Sequence, residues 1–189
     1  KIEIIVVLDG YWADPVPGII YLHHGKVVGM RAAINSGAAI AKGEYLMKCD
    51  AHCSFSKYYD NRLIKYSEPN QIAIPRLYNL DVETWTRGKE RPEFQYIEKG
   101  TLKGKWWPEY KAEGDIVDLM TMQGSCWFMP KKYFEEIGGL DDENYGGMGR
   151  EAQELSLKAW TTGGRVVLNR KTWYAHWSKP AEHSMGKPG

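Results

Sequence analysis

Asp50 and His52 close the run Glu44-Tyr-Leu-Met-Lys-Cys-Asp-Ala-His-Cys53, with one residue between them. In an extended segment, residues i and i+2 project from one face, so a carboxylate and an imidazole at this spacing can grip one cation. Taken alone, the pair reads by default as a hydrogen-bonded histidine at a capped strand end. Cys49 and Cys53 flank it and admit a structural zinc site, but the four-ligand set lacks a second Cys-x2-Cys knuckle, and buried packing of both thiols is the better reading. His23 and His24 are adjacent, so on a strand they face opposite ways and read as a solvated turn.

The elements that must position these side chains come from a chain of 189 residues, a length that suits one domain with a sizeable core. Lys and Arg number 25 against 24 Asp and Glu, a net charge of +1 that gives no bulk electrostatic reason for nucleic acid or an anionic membrane. No apolar run reaches the roughly 20 residues of a membrane span, and no secretory leader precedes the first strand pattern. Three cysteines do not make a disulfide framework, so a reducing, cytoplasmic setting is expected, with a bacterial or viral source. Eight Trp and twelve Tyr exceed the needs of a small core and suit grooves that hold sugars, bases or peptides.

Ile2 to Leu8 is β-branched and ends at Asp9-Gly10, the pattern of a fully buried parallel strand, and Ile19 to Leu22 reads as a second strand. The spacing of Val28, Arg31, Ala32, Asn35, Ala38, Ala39 and Lys42 predicts a helix over 28–42, stopped at Gly43. Strand 44–49 follows. This alternation predicts an α/β fold, a mostly parallel sheet flanked by helices, with ligands beyond the carboxyl ends of the strands where Asp9 and Asp50 lie. Residues 81–118 are charged and aromatic with four glycines, and read as a long, partly mobile loop or hairpin. A strand over 122–129, a helix over 131–137 ended by Gly138-Gly139, and a helix from about Gly149-Arg150-Glu151 with Leu155, Ala159 and Trp160 on its core face come next. Two strands, 165–168 and 172–175, precede His176, and the tail 180–189 reads as frayed.

In order along the chain, Ile4-Ile-Val-Val-Leu-Asp9-Gly10, Arg31-x3-Asn35-x-Gly37-x3-Ala41-x-Gly43-Glu-Tyr-Leu and Cys49-Asp-Ala-His-Cys53 resemble the GT-A glycosyltransferases of the family-2 type. Gly124-Ser-Cys-Trp-Phe128, Phe134-x2-Ile-Gly-Gly-Leu-Asp141 and Gly146-Gly-Met-Gly-Arg-Glu151-x2-Glu154 are most similar to the polypeptide N-acetylgalactosaminyltransferase catalytic domain. The resemblance covers roughly residues 2–178 and implies a GT-A, Rossmann-like domain that starts at the second strand of that fold, without its first strand and helix.

The resemblance implies that Asp50, His52 and His176 bind a divalent cation, manganese or else magnesium, that neutralises a departing nucleoside diphosphate. It places Asp9 on the uracil, Arg31 near the nucleotide, Gly124 and Trp127 at the sugar pocket, and Glu151 on donor or acceptor with Asp141, or less readily Asp142, approaching the sugar. Inverting relatives commonly carry an aspartate base directly after this glutamate, where this chain has Ala152. Retention of anomeric configuration is therefore expected, with Glu154 the alternative base if the register differs. The implied partners are a UDP-sugar donor and an acceptor glycan, protein or lipid-linked sugar. A non-catalytic glycan- or nucleotide-binding relative and a zinc-dependent hydrolase stand as alternatives. Trp85, Trp106 and Trp107 suit either a lid over 81–118, hinged at Gly100 to Gly104, or a satellite core beneath it.

Overall fold

The computed structural model describes residues 2–145 and 149–178. The Ile- and Val-rich start forms β1 (Ile4–Asp9), which pairs in parallel with β2 (Ile19–His24) and carries α1 (Met30–Ile40). Gly37 of α1 lets the helix close on β1, since a Cβ there would stand 3.2 Å from Val7 Cγ2. β3 (Tyr45–Cys49), β4 (Cys53–Phe55) and α2 (Tyr59–Lys65) lead into the long β5 (Gln71–Asp81). Four short strands follow: β6 (Thr86–Glu90), β7 (Gln95–Ile97), β8 (Gly104–Trp106) and β9 (Ile116–Asp118). The chain then runs through β10 (Cys126–Pro130), α3 (Lys131–Glu136), α4 (Glu151–Thr161) and β11 (Arg165–His176).

A seven-stranded sheet holds the order β3-β10-β5-β11-β4, with β6 beside β5 and β9 beside β11. Leu155 and Ala159 of α4, Val166 and Leu168 of β11, Ile72 and Ile74 of β5 and Met129 of β10 join one buried cluster that is the main core. The α/β class is as expected, but the sheet is mixed. β1–β2 and β5–β11 are parallel, whereas β10 runs antiparallel to both β3 and β5, and β4, β6 and β9 are also antiparallel to their neighbours. Of these reversals only β5–β6 is a hairpin with a short connection; the others join strands far apart in sequence.

β1 departs from the expectation of a fully buried strand, since Ile4 is 52% exposed. It pairs with β2 in a separate two-stranded sheet, and its other edge borders a groove of about 390 Å³ shared with β3. Every residue from Tyr45 to Cys49 lines that groove. Consecutive strand residues point to opposite faces, so β3 presents its backbone edge to it.

The segment 81–118 is largely structured: β6 pairs with β5, β7 and β8 form a hairpin, and β9 pairs with β11. Within it, Phe94, Tyr110, Trp107 and Tyr96 form a chain of ring contacts with centroids 4.8 to 6.1 Å apart, in which Phe94 is buried and the other three are exposed. The two strands expected at the end are one, β11, broken by a bulge: Asn169 pairs with Pro75 and Trp173 with Arg76, so Arg170, Lys171 and Thr172 loop out. Pro75 offers no N–H to a ladder, which explains why an interruption sits there. Trp160 turns outward from the core and donates its indole N–H to the Met120 carbonyl at 3.1 Å. The frayed tail expected over 180–189 lies outside the described residues.

Candidate metal and nucleotide-sugar site

Three chain segments bring Asp50, His52 and His176 together. Asp50-Ala-His52 is the turn from β3 to β4 and not the strand extension expected, so a bend of the backbone presents the two side chains. The turn is tied at both ends: the Asp50 N–H donates to the Ser125 carbonyl at 2.9 Å, and the Trp177 N–H donates to the His52 carbonyl at 3.1 Å. His176 ends β11 beside β4, two residues after Tyr174, whose hydroxyl bonds Ser125 Oγ at 2.9 Å. The register beyond the β11 bulge thus delivers the histidine to the carboxylate.

One donor atom from each of the three residues falls within 4.8 Å of the others. His176 Nε2 stands 3.1 Å and His52 Nε2 3.9 Å from Asp50 Oδ2. Two ligands on one cation at about 2.1 Å and at right angles stand about 3 Å apart, so the cluster needs only a slight closing. His176 Nδ1 is buried with no hydrogen-bond partner among the described residues, which leaves that ring held from one side only. A carboxylate with two imidazoles is a donor set for manganese or zinc more than for magnesium, which favours oxygen throughout.

Burial pushes the Asp50 carboxyl up, but the hydrogen bond from His176 and the Lys48 ammonium outweigh it and bring its pKa down to about 2. The carboxylate is therefore ionised and ready to ligate. Burial pushes the Cys53 thiol to about 12 and Cys49 and Cys126 upward too, but the expected burial of both flanking thiols does not hold, since Cys49 is exposed and Cys53 half-buried. Lys48, which sequence reasoning passed over, donates to Asp50 Oδ1 at 2.6 Å and to the Gly124 carbonyl at 2.8 Å. Its signal was its place two residues before Asp50, on the same side of β3.

Gly124 connects the cluster to an open cleft of about 550 Å³, lined also by Gln123, Gln95, Tyr145, Glu151 and Gln153. Glu151 begins α4 and accepts the Gly149 N–H at 2.6 Å, a carboxylate at a helix N-terminus. Arg150 before it takes the left-handed conformation, φ 64°, which swings the chain into the helix. Arg31 is not a solvated charge: it is 1% exposed and reaches from α1 to Glu154 Oε2 at 3.1 Å, to Glu151 at 3.6 Å and to the Gly149 carbonyl at 2.8 Å.

Other candidates lie apart from the cleft. Glu154 is buried and consumed, since its oxygens also accept from Lys158 at 2.9 Å and from the Asp141 N–H at 2.7 Å. The Asp141 carboxylate closes a turn on the N–H groups of Glu143 and Asn144, and the Asn144 side chain holds its pKa down. Asp142 accepts from Asn35 at 3.3 Å. Asp9 accepts the Val28 and Gly29 N–H groups at 2.6 and 2.9 Å and so fixes the entry to α1. Trp127 is 2% exposed and stacks on Phe134 of α3 in the core, rings 5.8 Å apart.

Comparison with known proteins bears on this arrangement. A profile described as glycosyl transferase family 2 matches residues 1–138. A Drosophila melanogaster protein called "Putative inactive polypeptide N-acetylgalactosaminyltransferase 12" is 28% identical over 88% of this chain and 33% of its own. Mus musculus polypeptide N-acetylgalactosaminyltransferase 3 is 30% identical over 74% of this chain and 24% of its own. The chain thus spans a third or less of the length of these relatives. A crystal structure of GalNAc-T7 with UDP, GalNAc and Mn2+ superposes with a TM-score of 0.79 at 17% identity, over 98% of this chain and 39% of that one. S. aureus TarS 1-349 gives 0.60 at 13% identity, over 93% of this chain and 51% of that one. Both superpositions show the GT-A fold.

Proposed function

The chain belongs to glycosyl transferase family 2, and we propose that it moves a sugar from a UDP-sugar donor to an acceptor hydroxyl with the help of a divalent cation. The observation that carries this reading is the convergence of Asp50, His52 and His176 beside the cleft that opens at the start of α4. A cation there, manganese by donor set, supplies Lewis-acid neutralisation of the diphosphate as it leaves. The donor is read as a hexose or N-acetylhexosamine on UDP, and the acceptor as a glycan, a protein or a lipid-linked sugar.

The residues divide the work. Asp50, His52 and His176 hold the cation, and Lys48 keeps Asp50 aimed by occupying its other oxygen. Glu151 is placed to accept a hydroxyl hydrogen bond from a sugar in the cleft, and Arg31 fixes its position from behind. With Ala152 after Glu151 and with Glu154 and Asp141 engaged elsewhere, no further carboxylate from this stretch stands ready as a base. The acceptor proton then passes to the departing phosphate oxygen, which is the retaining, front-face course.

Calorimetric binding of UDP with and without manganese, on the native chain and on Asp50→Asn, tests the reading. Binding that requires both metal and Asp50 is the expected result; binding indifferent to both defeats it. A second reading, a non-catalytic nucleotide or glycan binder, draws support from the scarcity of a base and from the relative named inactive. It predicts metal-dependent UDP binding with no hydrolysis or transfer from any UDP-sugar. If there is turnover, proton NMR of the first product should show the anomer of the donor.

A further inference from the structure

Lys48 carries an inference that rests on the nucleotide-sugar reading above. Its side chain is 15% exposed, and its ammonium is fixed between Asp50 Oδ1 and the Gly124 carbonyl. One oxygen of Asp50 therefore faces the Lys48 ammonium while the other, Oδ2, faces His52 and His176. Lys48 lines the groove of about 390 Å³ and holds the carbonyl of Gly124, which lines the cleft of about 550 Å³, so the ammonium lies between the metal cluster and space open to a ligand. The other buried cation of the region, Arg31, is engaged by Glu151 and Glu154.

We propose that Lys48 couples metal to nucleotide, disfavouring a divalent cation that arrives alone at Asp50, His52 and His176 and favouring one that arrives with a nucleoside diphosphate. With a dication on the Oδ2 side and the ammonium on the Oδ1 side, two positive centres share one carboxylate about 5 Å apart. Even screened as in water, that repulsion weakens the dication by about tenfold. A diphosphate brings several negative charges and reverses the sign of the contribution from Lys48, which then attracts. The metal and the nucleotide thus tighten one another, and by linkage each does so by the same factor.

The test is a titration of manganese, followed by the electron paramagnetic resonance signal of the free ion, with and without UDP and corrected for the manganese–UDP complex in solution. It is paired with calorimetry of UDP with and without manganese, on the native chain, Lys48→Met and Lys48→Arg. Lys48→Met should bind manganese alone about tenfold more tightly, while the factor by which each ligand tightens the other falls at least tenfold. Lys48→Arg, which keeps the charge, should stay close to the native chain. If Lys48→Met does not unfold cooperatively, Lys48→Gln carries the same comparison. A neutral variant with native manganese affinity and native coupling overturns the proposal while leaving the nucleotide-sugar reading intact. A native chain that binds no UDP with or without metal overturns both.

Discussion

Two charge-balanced clusters lie beside the cleft, one around Arg31 and one around Asp50, and they differ in whether their ligand atoms converge. Around Arg31, the guanidinium bonds Glu154 and Gly149 and borders Glu151, while Glu154 also takes Lys158 and the Asp141 N–H. That network joins α1 to α4 across a separation of 123 residues and is closed. Around Asp50, by contrast, two imidazoles and a carboxylate turn toward a common point, and His176 Nδ1 has no hydrogen-bond partner among the described residues. Charge balance alone would class the two together. What separates a binding site from a brace here is that ligand atoms of Asp50, His52 and His176 lie within 4.8 Å of one another, close enough to share a cation.

The sharpest way to break this contrast is Arg31→Met. Removing one member of a buried ion network leaves the others uncompensated, so a loss of about 3–5 kcal/mol is expected by denaturant unfolding. The double variant Arg31→Met, Glu154→Gln should recover part of that loss, because it no longer strands a charge. A loss below 1 kcal/mol for the single variant would move the Arg31 cluster from brace to site. Next in size, His176→Ala should weaken manganese-dependent UDP binding by about a hundredfold, at least the upper end of what loss of a ligand's supporting partner costs, and a thermal melt should show a smaller change than for Arg31→Met.

Smaller still, Asp9→Ala removes the acceptor of two N–H groups at the start of α1 and should cost about 1 kcal/mol, the usual worth of a helix cap. If Asp9 instead contacts uracil alone, UDP binding falls and stability does not. The smallest effect is one of pH. Asp50 has a folded pKa near 2 against an ordinary value of 3.8. The stability this gives is fully present above the unfolded value and is lost as pH falls through the folded one. The difference between the native chain and Asp50→Asn in urea midpoint should therefore be constant above about pH 5 and shrink between pH 4 and pH 2.

Much of the site was legible because its residues form ordered motifs: Asp50, His52 and Glu151 sit in short runs whose order along the chain carries the resemblance. Their surroundings were less so. Lys48 looks like any lysine until its face of β3 is considered. The pairing of Arg31 with Glu154 spans two helices that no local period connects. Trp127 belongs to a motif associated with the sugar pocket, yet α3 packs over its face of β10 and its ring stacks on Phe134 in the core. Among the elements, α1, α3 and α4 follow from helical spacing and glycine stops. β5 escapes such reading because Pro75 interrupts a strand that is buried along most of its length. The strands of 81–118 escape it because they are short, and β6 is exposed throughout.

The separate pairing of β1 with β2 has a consequence for how the molecule opens. A two-stranded sheet is marginal by itself, and this one is held through α1 and through Asp9, while β5 and β11 are locked in the middle of seven strands. The free energy of opening is therefore uneven across the fold, lowest at β1 and β2 and close to the global value at β5 and β11. Amide protons of Val6 and Tyr21 should exchange with solvent well before those of Ala73 and Val167. The entry to α1, from which Arg31 reaches the start of α4, then belongs to a unit that can loosen and re-form while the carboxylate and imidazoles across the cleft stay in register.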